Sequence, residues 1–588
     1  MDDIDVQGTV WPCPAPSMPV SSYQGYAGAG ELLASHGYVV VSISANGINA
    51  LDVEEVGGDQ YIARGELVLQ HLDLLRKANA GRVESLRALH GRLDMQRIGL
   101  MGHSRGGEGV VRAALLNAER GSPFGIRSLM PLASVNERSS IPGVPMASVL
   151  PYCDGDVSTL EGQAFVDDGA HAFGDSALRT TVLMMGANHN FYNSVWSEEG
   201  HGGDDVELAS DFADDATCGV GRSTRLTQAE QEHLGAGYMA AWFRLTLGRE
   251  GRFLPLFDGT SASLRGLPRA DVRSVPVLPS EDRLDVLTAA LRLGDWRAGG
   301  GVQARWCAEA AVDIDDCPRR EEEAIDVRQP HWSSGLGESG TMLRVDWAGA
   351  GTLSVMLPRQ SRRTGRMERL SMRVMTGLSA PGGMRLTLHD RWGRRASVQL
   401  DAQAHATLGA LPEVNGIGTS LLQAVQVPLA RFRGIDLRHL RRLDIDREEP
   451  GTLFLTDVAF TRSSVGMAQH ASHWPGIAVE SQPPMDSRGP SERQDVRVTA
   501  TLSGRQSYPV TVNVRLGTDS RAVTVPPGNL CAGTSLQFAP SVDPDVDESM
   551  AFIASGNSSG GFTSNRQIPV GPAGVRNDGR TAVVCREE

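Results

Sequence analysis

One serine in the chain stands in a pattern that activates a hydroxyl group for nucleophilic attack. Residues 102–106 read Gly-His-Ser-Arg-Gly, which is a G-x-S-x-G pattern centred on Ser104. An apolar run at 96–101 precedes the pattern and a helix-forming run follows it. In this strand–turn–helix context the serine lies on a sharp turn at the carboxyl edge of a sheet. The spacing predicts that Ser104 is a nucleophile and that Gly102 and Gly106 remove side chains which would crowd the turn.

A serine hydroxyl needs a general base, and the base needs an acid that orients it. In chains with this pattern the acid and then the histidine follow the serine, each at the carboxyl end of a strand. Asp156 follows the apolar run 146–152, and His189 follows the apolar run 180–185. We predict His189 as the base and Asp156 as its acid, while Asp154 in the same loop remains an alternative.

The elements around these residues alternate between strands and helices. Helical periodicity and capping patterns predict helices at 28–35, 59–78 and 227–247, and Thr227 with Glu230 forms a capping-box pattern at the start of the last helix. Apolar runs predict strands at 37–43, 96–101, 126–132, 146–152 and 180–185. This alternation predicts an α/β unit over residues 1–255, with a parallel sheet covered by helices on both faces.

Past residue 255 the pattern changes to short alternating strands separated by Gly, Pro and Asp turns. It predicts a β-sandwich at 285–465. Residues 466–493 are rich in Pro, Ser and Gly, which is typical of a linker. A second, smaller β-sandwich is expected over 494–588.

Over residues 23–247 the chain resembles the α/β-hydrolase fold. It is most similar there to the branch of bacterial polyester hydrolases, cutinase-like esterases and platelet-activating-factor acetylhydrolase. The resemblance rests on residues 33–41 (Leu-Ala-Ser-His-Gly-Tyr-Val-Val-Val), on residues 102–107, and on the acid loop and the Asn-His-Asn loop at 188–190. The region past residue 255 resembles accessory domains of large secreted actinobacterial hydrolases.

The resemblance implies a triad of Ser104, Asp156 and His189. It favours Asp156 over Asp154 because the acid of that family commonly stands three residues after a small turn residue, which is Cys153 here. It also implies that the backbone N–H of Arg105 is the first donor to the oxyanion.

The activity expected from this resemblance is cleavage of a carboxylic ester or a related acyl bond, in a small molecule or a polymer, through an acyl-enzyme. No metal and no organic cofactor is expected. Two alternatives remain: a peptidase of the same fold, and a catalytically weak scaffold that binds a polymer or a glycan through its β-domains. Carbohydrate is a candidate partner because the sandwich at 285–465 resembles jelly-roll modules and because Trp332, Trp347 or Trp392 could stack on a sugar. The alternative is that these tryptophans are buried by their own domain, as is common.

Composition excludes some partners. The formal net charge of −14 argues against nucleic acid and anionic membrane surfaces. No apolar run is long enough to span a bilayer. The acidic stretch 196–220 could bind calcium or cover the site, but spaced acids alone favour a solvated loop.

The resemblance also requires a strand between the runs at 37–43 and 96–101, with a second oxyanion donor in the loop that follows it. Before Gly37 the only candidate for such a strand is Val6–Trp11, which is short and is followed directly by Pro12. We therefore expect an N-terminally incomplete sheet and an oxyanion hole that lacks one donor. We also expect an extracellular protein whose natural form has an N-terminal extension with a signal peptide.

Cysteine spacing generates the first testable prediction. The chain has seven cysteines and no C-x-x-C pattern. The predicted disulfides are Cys307–Cys317, Cys531–Cys585 and, as a weaker pairing, Cys153–Cys218, the alternative being scattered buried thiols. Disulfides persist in oxidising compartments, so the pairs predict secretion. Peptide mapping without reduction should recover all three pairs, and free thiols at these positions would remove the argument for secretion.

Overall fold

A computed structural model covers the 588-residue chain. It describes residues 11–463 except 14, 15, 17, 51–58, 137–140, 142, 170–176, 209–212, 261–263, 289–294, 307–326, 329–341, 377–381, 402–407, 409–410, 417 and 420. Past residue 463 it describes seven strands and Pro526. No helix in the described part of the chain is long and apolar enough to cross a membrane.

The first unit is a five-stranded sheet flanked by helices. Its helices are α1 Ala27–Ala34, α2 Asn46–Asn49, α3 Asp59–Asn79, α4 Arg105–Glu119, α5 Gln163–Gly169, α6 Asp205–Leu208 and α7 Gln228–Thr246. Its strands are β1 Ile98–His103, β2 Ile126–Leu132, β3 Met146–Pro151, β4 Arg179–Met184 and β5 Val272–Val277. They lie in chain order across the sheet. The first four are parallel, and β5 pairs antiparallel with β4.

Helices cover both faces of this sheet, and β3 and β4 are therefore buried at every position. Helices α3 and α4 pack on one face and α1 and α7 on the other. Trp242 of α7 is fully buried, and its indole N–H donates to the carbonyl of Leu129 in β2 at 3.0 Å. The capping box predicted at Thr227 and Glu230 is present. The predicted α/β arrangement is thus confirmed, although β5 lies past the predicted limit at residue 255.

The strand predicted at 37–43 is wrong. These residues lie outside the helices and strands and pair with no strand in the described part of the chain. Val39, Val40 and Val41 are 53%, 45% and 49% exposed. A β-branched run supplies the propensity for a strand, but a strand also needs a partner, and β1 forms the edge of the described sheet.

The second unit is a β-sandwich. One sheet has the order β16-β12-β18-β10-β8, with β6 also paired to β18, and the other has the order β14-β13-β17-β11-β7. The strands are β6 Arg283–Leu287, β7 Asp295–Gly299, β8 Val302–Trp306, β9 Val327–Arg328, β10 Leu343–Trp347, β11 Gly351–Met356, β12 Arg369–Thr376, β13 Met384–Asp390, β14 Arg395–Leu400, β15 Gly418–Thr419, β16 Gln423–Pro428, β17 Leu440–Arg447 and β18 Gly451–Thr461. Alternate Leu, Val, Ile and Phe side chains of the two sheets form one core between them.

A further β region follows. Its strands are β19 Ile477–Gln482, β20 Gln494–Leu502, β21 Val510–Leu516, β22 Asp519–Val525, β23 Cys531–Phe538, β24 Ala551–Asn557 and β25 Thr563–Pro569. They form sheets of the order β19-β20-β23 and β22-β21-β24-β25. Strand β19 falls within the predicted linker at 466–493 and pairs antiparallel with β20. The linker prediction is therefore wrong for these six residues.

The sandwich is tightly joined to the α/β unit. Apolar side chains of both units share a core in which Leu411 and Val414 of a sandwich loop pack with Tyr152 and Cys153, next to the end of β3. The Tyr152 hydroxyl donates to the carbonyl of Pro412. The two units therefore bury apolar surface against each other beside the loop that carries the predicted acids.

A buried arginine completes this junction. Arg373 of β12 pairs with Asp167 of α5 and, at 3.1 Å, with Asp457 of β18, and its side chain is 4% exposed. This one guanidinium therefore pairs with two carboxylates that are both largely held out of water.

Arg373→Ala should destabilise the protein by about 3–5 kcal/mol, because it leaves two buried carboxylates without their cation. The matched control is Arg385→Ala, which removes an exposed pair with Glu448 on the same sandwich. That control should cost less than about 1 kcal/mol. Chemical denaturation of both variants measures the difference, and equal losses would contradict the burial argument.

Candidate active site

The turn at Ser104 has the strained backbone that its sequence pattern predicts. Ser104 has φ 55° and ψ −128° and lies between β1 and α4. Positive φ in a residue other than glycine is costly and is held only where the surroundings enforce it. A Cβ on Gly102 would lie 2.0 Å from the carbonyl oxygen of Gly106, so the turn requires glycine there.

The second glycine that the turn requires is not the predicted one. A Cβ on Gly106 would meet nothing within 4 Å, whereas a Cβ on Gly107 would lie 2.2 Å from Ser134 Oγ. The role assigned to Gly106 is therefore wrong, and Gly107 has it because α4 passes close to the loop after β2.

The backbone of the turn is tied to the neighbouring strand and helix. The N–H of Ser104 donates to Leu132 of β2 at 2.9 Å, and its carbonyl accepts from Gly107 at 2.9 Å. Arg105 is the first residue of α4. Its N–H therefore belongs to the N-terminal turn of the helix. The predicted oxyanion donor thus stands next to the predicted nucleophile.

The carboxyl ends of β3 and β4 bring an acid and a histidine together. His189 Nδ1 lies 3.0 Å from both carboxylate oxygens of Asp154. Both side chains are buried, at 4% and 1% exposed. The two loops come from adjacent parallel strands, so residues 35 positions apart meet at one edge of the sheet.

The structure corrects the choice between the two acids. Asp156 does not reach Nδ1; its Oδ2 lies 3.2 Å from Nε2 of His189, and its side chain is 65% exposed. The loop explains this, because Asp154 Oδ1 accepts the N–H groups of Asp156 at 3.0 Å and Val157 at 2.6 Å. This local turn points Asp154 inward and leaves Asp156 at the rim. The prediction of Asp156 as the orienting acid is therefore wrong.

The charges around His189 make it unusually basic. Burial lowers the pKa of His189, but the charge and hydrogen bond of Asp154, followed by the charges of Asp156 and Asp205, overcome burial and raise it from 6.5 to about 9. An imidazole accepts a proton only when it is neutral. Any reaction that uses His189 as a base should therefore become faster as the pH rises toward about 9.

No hydrogen bond joins Ser104 to His189 in the described part of the chain. Nε2 of His189 instead contacts Oδ2 of Asp156. The residue before the serine, His103, stacks on His189 with ring centroids 4.7 Å apart. Burial and the proximity of His189 hold the pKa of His103 well below its usual value, so this ring stays neutral. Ser104, His189 and Asp154 thus lie in one neighbourhood, and it is Asp156 rather than Ser104 that contacts Nε2.

The weaker of the predicted disulfides is present. Cys153 and Cys218 are joined, with Cα atoms 5.3 Å apart. This bond ties the residue before Asp154 to the acidic stretch. The other two predicted disulfides, Cys307–Cys317 and Cys531–Cys585, lie outside the residues whose side chains the structure describes. Cys13 has no disulfide partner in the described part of the chain.

The acidic stretch 196–220 is only in part the solvated loop that its composition favours: residues 198–201 and 214 are exposed, but two of its acids are buried. Asp205 and Asp215 are 6% and 8% exposed. Asp215 accepts the N–H groups of Thr217 and Cys218, and also that of Asn415 from the sandwich. No group of side chains suited to a metal ion is found among the described residues. The sequence singled out this stretch but could not show that Asp215 is buried, because one of its donors, Asn415, comes from a loop of the sandwich 200 positions away.

The tryptophans considered for sugar binding are differently placed. Trp347 is 3% exposed, and its N–H donates to Gly351 at 3.1 Å. Trp392 is 52% exposed, with the guanidinium groups of Arg391 and Arg394 at 4.8 and 5.3 Å from its ring. Trp332 lies outside the described residues.

Residues 18–197 match the family model PETase, described as PET hydrolase-like. A curated relative, the bis(hydroxyethyl) terephthalate hydrolase of Streptomyces coelicolor, is 34% identical over 137 residues. That match covers 23% of this chain and 37% of the relative, so the chain spans little more than a third of the curated relative's length. These matches confirm the predicted resemblance to the polyester hydrolase branch and support an esterase-type hydrolase.

Among solved structures, the chain has weak similarity to carbohydrate-binding modules. A family 11 carbohydrate-binding module of Clostridium thermocellum matches with a TM-score of 0.19 and 9% identity, covering 31% of this chain and 94% of the module. A family 30 carbohydrate-binding module matches with a TM-score of 0.18 and 15% identity, covering 29% of this chain and 93% of the module. At such scores the likeness carries no argument about a ligand.

The two neighbouring acids give a testable contrast. Asp154→Asn should lower kcat for an ester by about 10³–10⁴-fold, because the base then loses the acid that fixes its orientation and charge. Asp156→Asn should instead increase kcat/KM at pH 7, because removing a charge beside Nε2 lowers the pKa of His189. The gain is at most about tenfold, which corresponds to one pH unit, and water around the exposed Asp156 screens part of it.

The changes in kcat and in kcat/KM are measured from pH–rate profiles of the two variants and the wild type, with a soluble p-nitrophenyl ester as substrate. The same Asp→Asn change two residues apart makes each variant the control for the other. Loss of turnover in Asp156→Asn with activity retained in Asp154→Asn would contradict the assignment.

Proposed function

We propose that this chain is a secreted serine hydrolase of the α/β-hydrolase fold that cleaves carboxylic esters through an acyl-enzyme. The observation that carries the proposal is the buried contact between His189 and Asp154 at the sheet edge where Ser104 occupies its strained turn. The PET hydrolase-like match over 18–197 supports the same class of reaction.

In the proposed mechanism His189 loses its Nε2 proton and Asp156 moves away from that nitrogen. Ser104 then attacks the ester carbonyl while its proton passes to Nε2. Asp154 keeps the imidazole oriented and stabilises its charged form. The backbone N–H of Arg105 donates to the oxyanion. His189 returns the proton to the leaving alcohol, and water releases the acyl group in a second, equivalent cycle.

The substrate class we propose is an ester of an aromatic acid with a short hydroxyalkyl group, as a small molecule or within a polyester. The name of the Streptomyces relative motivates this choice. An exposed rim at Asp156 beside a buried Asp154 is consistent with a site that is open on one side. The disulfide at Cys153 supports secretion, because such bonds persist in oxidising compartments.

For the first β-sandwich we propose a supporting role rather than sugar binding. Its loop at 411–415 shares a core with Tyr152 and Cys153 and accepts a hydrogen bond from Tyr152 at Pro412. Of the tryptophans considered, Trp347 is buried and Trp392 is already covered in part by two arginines.

A fluorophosphonate probe tests the nucleophile. We expect it to label the wild-type protein and to leave Ser104→Ala unlabelled, because the probe forms a covalent bond with an activated serine. Ser134→Ala removes another serine next to the turn and is the matched control; it should retain labelling. Hydrolysis of a terephthalate hydroxyethyl ester and of a matched amide is measured in parallel. Persistent labelling of Ser104→Ala would contradict the nucleophile, and preferential amide cleavage would favour a peptidase.

A further inference from the structure

A buried acid from the 196–220 stretch joins the two loops of the proposed active site. Asp205 is the first residue of α6 and is 6% exposed. Its Oδ2 accepts the backbone N–H of Gly155 at 2.7 Å and that of His189 at 3.1 Å. Its Oδ1 accepts the N–H of Asn190 at 3.2 Å. One carboxylate therefore holds the residue after Asp154 and two residues of the histidine loop.

The contact is close enough to restrict the sequence. A Cβ on Gly155 would lie 2.7 Å from the backbone oxygen of Asp205 and 3.0 Å from its Oδ2. The acid loop thus approaches α6 more closely than any side chain would allow. Hydrogen bonds from N–H groups to an ionised carboxylate are about twice as strong as neutral ones, and burial strengthens them further.

The segment that carries Asp205 is itself anchored. The neighbouring Asp204 pairs with Arg225 through two hydrogen bonds of 2.7 and 3.0 Å. Asp204 Oδ1 also accepts from Asn188 Nδ2 at 3.0 Å. These contacts hold the segment of Asp205 in place, and this is necessary if the Asp205 carboxylate is to position the backbone of the two loops.

We propose that Asp205 is a positioning residue that fixes the acid Asp154 against the base His189 by binding the backbone of both loops. The inference rests on the proposed function, since it concerns the same acid and base. Asp205 touches no reacting atom in this scheme. It acts through the backbone, so the distance between Asp154 and Nδ1 depends on a third acid that the triad pattern does not include.

The charge of Asp205 also contributes. The charged groups that surround it come from the acid loop, the histidine loop and its own segment: Asp154, Asp156, His189, Asp204 and Arg225. Burial and the charge of Asp154 raise the pKa of Asp205 from 3.8 to about 6. It is therefore ionised at the alkaline pH that a neutral His189 requires, and its charge helps raise the pKa of His189.

The test compares Asp205→Asn with Asp214→Asn, the same chemical change at an exposed acid of the same stretch. We expect Asp205→Asn to lower kcat at least tenfold with KM within twofold of wild type. The acidic limb of its pH–rate profile should move to lower pH, because a charge near His189 is gone. Asp214→Asn should change neither value. A purely structural role for Asp205 would lower the thermal midpoint without moving the limb.

Hydrogen–deuterium exchange gives a readout that does not need activity. Peptides that contain the amides of Gly155, His189 and Asn190 should exchange at least tenfold faster in Asp205→Asn and at the wild-type rate in Asp214→Asn. If Asp205→Asn does not fold, the wild type decides: after correction for intrinsic rates, these amides should exchange faster at pH 5 than at pH 8, because Asp205 becomes protonated in between.

The outcomes separate the two proposals. A wild type that neither binds the fluorophosphonate nor cleaves esters contradicts the proposed function, while exchange still decides on Asp205. An active wild type whose Asp205→Asn variant keeps kcat, limb and exchange rates overturns the positioning role. Unchanged exchange at pH 5 and pH 8 in the wild type overturns it as well.

Discussion

The site depends on keeping charged carboxylates out of water beside one imidazole. Asp154 and Asp205 are both nearly inaccessible, and removing such groups from water costs several kcal/mol each unless donors replace the lost hydration. Here the donors are mostly backbone N–H groups. Backbone donors need loops held in fixed conformations, which is why the disulfide at Cys153 and the close approach at Gly155 matter for chemistry as well as for stability.

The same requirement explains why the surroundings of the candidate active site extend into the β-sandwich. Cys153 and Tyr152 lie directly before Asp154 and pack against the loop of Leu411 and Val414. Asp215 binds the N–H of Cys218 and also that of Asn415 in the sandwich. The loop that presents the acid therefore has neighbours on three sides, namely the sheet, the acidic stretch and the sandwich.

Sequence patterns over a few neighbouring residues predicted the turn at Ser104 and most strands of the α/β unit. The G-x-S-x-G spacing locates Ser104, and apolar runs locate β2, β3 and β4 within a residue or two, so His189 follows from its place after β4. Spacing could not separate Asp154 from Asp156, because both lie in one loop and a turn made by Asp154 itself decides which one faces the histidine.

Longer-range features escaped prediction for a related reason. The run at Val39–Val41 has strand propensity, but propensity cannot supply a neighbouring strand. Asp205 binds Gly155 across fifty positions, and no sequence period links the two residues. The role given to Gly106 belongs to Gly107 because Ser134, from another loop, is the group that approaches.

The position of β1 has a consequence for handling the protein. In the described part of the chain, its outer side pairs with no strand. An open strand edge offers a row of unpaired N–H and C=O groups to any other chain and therefore favours self-association. Because Ser104 follows β1 directly, self-association through this edge would place a second chain next to the residue that we propose as the nucleophile, and the specific activity should then fall as the protein concentration rises.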